Sequence, residues 1–154
     1  MTPTIRPATP ADAEAIGQLM AQSADYLRAL GDTTDFRFTA EIYLRDGFGP
    51  NPAFSALVAE LDSEIVGHLF YHFGYDTDWA IRLLYVIDLM VREDRRGQSI
   101  GKALMLRTAE ICREAGGSEM VWAVYKPNQQ AAEFYERLGA TYIEDLHFMR
   151  WAVT

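Results

Sequence analysis

The residues best equipped for chemistry lie between Val91 and Met105, VREDRRGQSIGKALM. An apolar run ends there, a loop with Arg and Gly follows, and a helical pattern begins. Such a turn aims free backbone N–H groups and a positive helix end at one place. Gly97 lets a ligand approach the loop backbone closely, and Arg95, Arg96 and Lys102 add positive charge. The chemistry that suits is the holding of a phosphate or pyrophosphate. A dinucleotide fingerprint is excluded because Gly97 and Gly101 do not make G-x-G-x-x-G. A P-loop is excluded because Gly97 to Lys102 is one residue short and Ala103 replaces the hydroxyl. The plain alternative is an ordinary strand-to-helix turn. A second pair, Asn128 and Tyr135, stands seven residues apart, two helical turns, so both sit on one face. An amide at a helix start and a phenol two turns on can meet the same ligand. Ala131, Phe134, Tyr135 and Leu138 fit an ordinary core stripe as well.

The elements that must position these groups alternate with short connections, which favours a single domain over residues 1–154. Thr4–Ala8 reads as a first strand, and Thr9-Pro10 as a helix start, hydroxyl cap followed by Pro. Ile16, Leu19, Met20 and Leu27 continue that helix as a stripe, and Thr39–Asp46 is a second, short helix. Phe54–Leu61 and Ile65–Phe73 form a hairpin around the loop Asp62-Ser63-Glu64, and Gly74–Trp79 reads as a loop. Ile81–Val91 is a long, nearly continuous apolar strand, expected at the centre of the sheet. A helix over Ser99–Ala115 ends at Gly116-Gly117, and Glu119–Tyr125 is a strand. Asn128–Leu138 is a helix closed by Gly139, and Ala140–Glu144 and Phe148–Val153 read as two last strands.

Composition narrows the function classes. The single cysteine, Cys112, excludes an internal disulfide, and three scattered histidines give no metal-ligand spacing, so no metal is expected. No apolar run is long enough to span a bilayer and the first residues do not read as a signal peptide; no membrane partner and a cytoplasmic location are expected. The net charge of −8 argues against nucleic acid. Residues 1–88 carry 13 acidic and 5 basic side chains, whereas residues 89–154 carry 9 of each. That division suits a cation on the first part and an anion on the second; two merely solvated faces are the alternative.

Arg96-Gly97-Gln98-Ser99-Ile100-Gly101 resembles the R-G-x-G-x-G-or-A pattern with which GNAT acetyltransferases bind the pyrophosphate of acetyl-CoA. Ser99 stands where the middle Gly is usual, a strained choice if that position needs positive φ, though a serine there can cap the helix. Asn128 to Ala140 is similar to the closing N-x-x-A-x-x-F-Y-x-x-x-G-A motif of the same superfamily. IRPATPADAEAI at Ile5–Ile16, DGFG at Asp46–Gly49, LVAE at Leu57–Glu60, IVG at Ile65–Gly67 and LLY at Leu83–Tyr85 resemble its diamine (spermidine/spermine) acetyltransferase branch.

The resemblance implies an α+β, GNAT-like fold: a mixed, mostly antiparallel sheet of about seven strands, with flanking helices and a splayed central strand pair. It implies acetyl-CoA as cosubstrate, held by the backbone of Leu89 and Val91, by Arg96, Gly97, Gln98, Ser99, Gly101 and Lys102, and by Asn128. Tyr135 matches the tyrosine that protonates the departing thiolate. The acceptor implied is a primary amine of a small polyamine- or lysine-like molecule, attacking directly, and the branch implies a homodimer. Tyr26 matches an aromatic of the branch, and Asp88 the second residue of its Glu-Asp pair; both are candidate amine-binding residues. Ile87 replaces the Glu of that pair, and Leu27 sits where an acidic residue is expected. Asp32, Asp35, Asp76 and Asp78 could re-supply the charge from loops. Strand alternation puts Ile87 and Asp88 on opposite faces unless a bulge intervenes, and Asp88 also suits a structural hydrogen-bond acceptor. The alternatives are acetylation of a protein or peptide amine and a CoA-binding module without turnover.

Overall fold

The computed structural model describes residues 1–153. Two compact units divide the chain, one over Met1–Ala123 and one from Val124 onward. The first unit holds β1 (Thr4–Pro7), α1 (Ala13–Ala29), α2 (Ala40–Gly47), β2 (Ser55–Leu61), β3 (Glu64–Asp76), β4 (Ile81–Val91), α3 (Ile100–Glu114) and β5 (Gly117–Val121). Single turns of 3-10 helix precede α1 and α3, at Pro10–Asp12 and Glu93–Arg95. The strands form one sheet in the order β1-β2-β3-β4-β5, antiparallel except for the parallel β4–β5 pair. The α+β class and mixed sheet hold, but the expected seven strands become five among the described residues. Ala140–Glu144 and Phe148–Val153 alternate suitably, yet neither is in a ladder. Alternation creates two faces, but a strand needs a partner to bond.

The β2–β3 hairpin turns on two residues rather than three. Asp62 and Ser63 both have positive φ, +53° and +63°, the tight primed turn whose twist matches that of antiparallel strands. β3 then runs to Asp76, absorbing part of the expected loop. Long pairing with β4 over Gly67–Asp76 explains the extension.

Each face of the sheet carries its own helices. His68 and Phe70 of β3 share a face with Val58 and Ala56 of β2, since residues directly opposite in a ladder point the same way. α1 and α2 cover that face with Ile16 and Tyr43 in one buried cluster with Val58 and Phe70. Phe54 stacks on Phe70 with centroids 4.9 Å apart, and His68 stacks on Phe70's ring at 4.6 Å. Tyr43, fully buried, donates its hydroxyl to the Thr9 carbonyl at 2.7 Å; burial pushes its pKa up to about 12. On the other face a Cβ on Gly67 would meet Leu104 and Ile100 of α3 at 3.4–3.5 Å. Those are ordinary contacts; the tight one is the Met90 carbonyl oxygen of β4 at 3.0 Å.

The corner between β1 and α1 is tied by Arg6. Its guanidinium makes two hydrogen bonds to Asp12, both 2.9 Å, and a third to Glu60 of β2 at 3.1 Å. Asp12 also accepts the Thr9 backbone N–H at 2.8 Å. The Arg6 bonds hold the Asp12 carboxyl below the usual carboxylate range, against the opposing effect of burial.

The second unit contains α4 (Gln129–Arg137), closed by Gly139 at φ +94°. Beyond it, Tyr142, Ile143, Leu146, Phe148, Met149, Trp151 and Val153 are exposed.

Candidate active site

β4 positions most of the candidate residues. It pairs with β3 along its whole length, but with β5 only over Arg82–Tyr85. From Val86 to Val91 the edge of β4 away from β3 carries no ladder to β5. β5 ends at Val121, opposite Tyr85, and Leu89 and Val91, the residues expected to meet a cofactor arm through their backbone, lie on the stretch of β4 beyond that pairing.

The loop that follows is built from backbone. Gly97 has φ +76° and Ser99 φ +63°, ψ +15°, both left-handed. Space around Gly97 is open, so its requirement is conformational rather than steric. Ser99 tolerates a conformation that disfavours any residue with a Cβ by roughly 1–2 kcal/mol. Its hydroxyl does not cap α3, contrary to the expectation, because a cap residue ordinarily has extended backbone and Ser99 does not. Ser99 contributes instead its carbonyl, which accepts the Ala103 N–H at 3.0 Å. Among the described residues, the backbone N–H groups from Gly97 to Lys102 meet no acceptor. These donors and the positive end of α3 are aimed at one place, an arrangement suited to an anion.

The arginines around it are largely occupied. Arg96 donates Nε to the Val91 carbonyl at 3.1 Å and lies over the Tyr26 ring of α1, 4.9 Å from its centroid. Tyr26 and Arg96, expected on substrate and cofactor respectively, are thus packed together, joining α1 to the loop. Arg92 bridges Glu64 and Asp94, at 3.0 and 2.6 Å. A cleft of about 490 Å³ opens beside this bridge, lined by Gln22, Arg92, Glu93 and Asp94. Arg107 pairs with Glu110 and Glu114. Lys102 is exposed and in no ion pair among the described residues. The positive charge at the turn therefore comes from Lys102, from Arg96 and from the partly paired Arg95, beside the backbone donors.

Upstream in β4 a bulge decides where Asp88 points. Phe70 pairs with Asp88 and Tyr71 with Val86, so Ile87 is the extra residue. The bulge turns Asp88 to the face of His68 and Phe70 and Val86 to the opposite face. Ile87, where the diamine branch has Glu, is 43% exposed. Asp88 Oδ2 lies 2.6 Å from His68 Nε2, within hydrogen-bond distance, with its own side chain 28% exposed. Sequence reasoning found Asp88 and missed His68. The available signal was a histidine inside the apolar run IVGHLFYHF, which a buried partner would explain.

Within the second unit, Asn128 is the N-cap of α4: its side-chain oxygen accepts the Ala131 N–H at 3.2 Å. Tyr135, half-buried, packs its ring edge-on to Phe134, 5.1 Å between centroids. Among the described residues there is no group of three or more metal-ligating side chains, and no helix long and apolar enough to cross a membrane.

A central strand paired to its parallel neighbour over only part of its length, followed by a donor-rich turn into a helix, is the arrangement expected of an acyl-CoA-binding transferase. Residues 18–140 match the acetyltransferase (GNAT) family, and the chain belongs to it. It is an acetyl-CoA-dependent N-acetyltransferase. The chain is 34% identical to the thialysine N-epsilon-acetyltransferase of Sus scrofa, over 96% of this chain and 91% of that protein. It is 34% identical to the spermidine/spermine N(1)-acetyltransferase-like protein 1 of Homo sapiens, over 66% of this chain but only 16% of that protein. In fold it is similar to an integron cassette protein from the mobile metagenome of V. cholerae. The TM-score there is 0.81 at 20% identity, covering 99% of this chain and 94% of that one.

Proposed function

We propose that the chain acetylates a terminal primary amine of a small aliphatic molecule, polyamine- or lysine-like, by direct attack. The observation that carries the reading is the make-up of β4 beyond Tyr85. In chain order it presents a partly exposed carboxylate, an edge not paired to β5, and an anion-binding turn. A cationic amine suits the first and a pyrophosphate suits the last. The named substrates of the relatives, thialysine and spermidine/spermine, are aliphatic amines of this kind.

The loop fits acetyl-CoA on its own geometry: left-handed Gly97 and Ser99 and unpaired N–H groups through Gly101 and Lys102 suit a pyrophosphate. Bound there, acetyl-CoA supplies a thioester as the acyl donor. Leu89 and Val91 offer backbone to its arm, and Asn128 an amide; Gln98 and Arg96 serve through the loop they shape. Asp88 attracts the ammonium form of the substrate. The amine attacks only when neutral, and its proton passes to water, helped by Asp88 or a loop carboxylate. The N–C bond forms as the C–S bond breaks, and Tyr135 holds the proton that the leaving sulfur takes.

The test is acetyl-CoA-dependent thiol release across a panel of polyamines, lysine analogues and basic peptides. Small diamines or lysine-like amines are expected to turn over best. Tyr135→Phe is expected to lower kcat by roughly 100-fold or more. An unchanged rate removes the acid role, and a preference for peptides removes the small-molecule reading.

A further inference from the structure

We infer that His68 is a positioning residue for amine binding: it fixes Asp88 as an oriented carboxylate facing the substrate. The inference rests on the reading of Asp88 given above and adds the group that makes that carboxylate work.

His68 is 0% exposed and its Nε2 lies 2.6 Å from Asp88 Oδ2. Its other nitrogen, Nδ1, is buried and has no hydrogen-bond partner among the described residues. An imidazolium would carry an N–H at both nitrogens, and the one at Nδ1 would be buried without an acceptor, a costly arrangement. The neutral ring protonated at Nε2 leaves only a bare lone pair at Nδ1. His68 Nε2–H is therefore the donor of this contact and Asp88 Oδ2 its acceptor.

Packing alone does not require a histidine here. Position 68 ends a stack of rings, Phe54 on Phe70 and Phe70 on His68, and a phenylalanine would fill it. What histidine adds is one donor aimed along the sheet face at a diagonal neighbour, since His68 opposes Met90 while Asp88 opposes Phe70. That donor occupies Oδ2; Oδ1 makes no hydrogen bond among the described residues. A carboxylate with one oxygen braced and the other open, partly exposed, is suited to receive an ammonium. The exposed Ile87 beside it adds no second charge, so the orientation of the one carboxylate carries more of the amine recognition than a Glu-Asp pair would demand.

Steady-state kinetics with the amine that the panel selects tests this on the full chain, in His68→Phe, His68→Gln and Asp88→Asn. His68→Phe keeps the ring stack and removes the donor. KM for the amine is expected to rise roughly tenfold, the effect of one charge-assisted hydrogen bond, with KM for acetyl-CoA within twofold. His68→Gln, which can donate to Oδ2, is expected to recover most of that loss. Asp88→Asn is expected to raise amine KM at least as far. If Asp88→Asn is impaired while His68→Phe is not, the positioning role is overturned and the amine site stands. If neither changes, the reading of Asp88 fails and the inference with it. If His68→Gln is as impaired as His68→Phe, the role is packing alone. Should His68→Phe not fold, the ring tautomer of the unaltered protein decides, by nitrogen-15 NMR: Nε2–H supports the proposal, and a ring bare at Nε2 overturns it.

Discussion

Two carboxylates of the first unit are held by very different means. Asp12, at the corner of β1 and α1, is fully engaged: Arg6 bonds both oxygens, and Thr9 donates its N–H and, at 3.3 Å, its hydroxyl. Asp88, at the bulge of β4, has one histidine partner on one oxygen among the described residues and its side chain 28% exposed. Arg6 is a partner that cancels charge; His68 is a partner that orients it. A carboxylate whose lone pairs are spent within the fold is scaffold. One that keeps an oxygen and its net charge is available to a ligand.

The comparison breaks most decisively at Asp12. Asp12→Asn is expected to destabilise the chain by about 1–3 kcal/mol, because Arg6 is about one-third exposed and keeps Glu60. Amine KM should not change, whereas Asp88→Asn should do the reverse. Denaturant unfolding beside kinetics separates the two. The acid side sharpens the same point. The Asp12 carboxyl is held low by Arg6, so its contribution is complete above the ordinary carboxylate range. It is lost as pH falls through and below that range. Asp12→Asn should accordingly flatten the fall in stability between neutral and strongly acid pH.

A smaller effect is expected at the bulge itself. Ile87→Glu adds a second charge beside Asp88 on an exposed site, with no core to disturb. It should lower KM for triamines relative to monoamines by roughly 3–10-fold, the scale of one partly screened charge pair. Equal effects on both amines would place residue 87 away from the substrate. The smallest change is expected at the loop. Ser99→Gly relieves a left-handed serine and costs chain entropy on folding, a net of about 0–1 kcal/mol of stabilisation. Its KM for acetyl-CoA should stay within twofold, since the N–H is kept; a large rise would mean the hydroxyl binds.

The turn from β4 into α3 was legible because its function lies in the backbone. Glycine content and a helix start are written in consecutive residues, and Arg96-Gly97 to Gly101 carries them. The hairpin was legible for the same reason, though its turn proved one residue shorter. The two C-terminal strands were misread because alternation in Ala140–Val153 is local while pairing is not. What the sequence did not show is how the arginines are engaged: Arg92 pairs with Glu64 and Asp94 and Arg107 with Glu110 and Glu114, while Arg96 meets the Val91 carbonyl and the Tyr26 ring and keeps its charge.

The sequence by itself determined the family, the glycine-bearing turn into α3 and the order of the elements, since each depends on neighbours along the chain. Only the tertiary structure decided which way Asp88 faces and what it meets. Its face depends on a register shift against β3, and its partner is a histidine 20 residues away. Both follow from how two strands settle against each other, a choice fixed by packing on both faces of the sheet rather than by any run of consecutive residues.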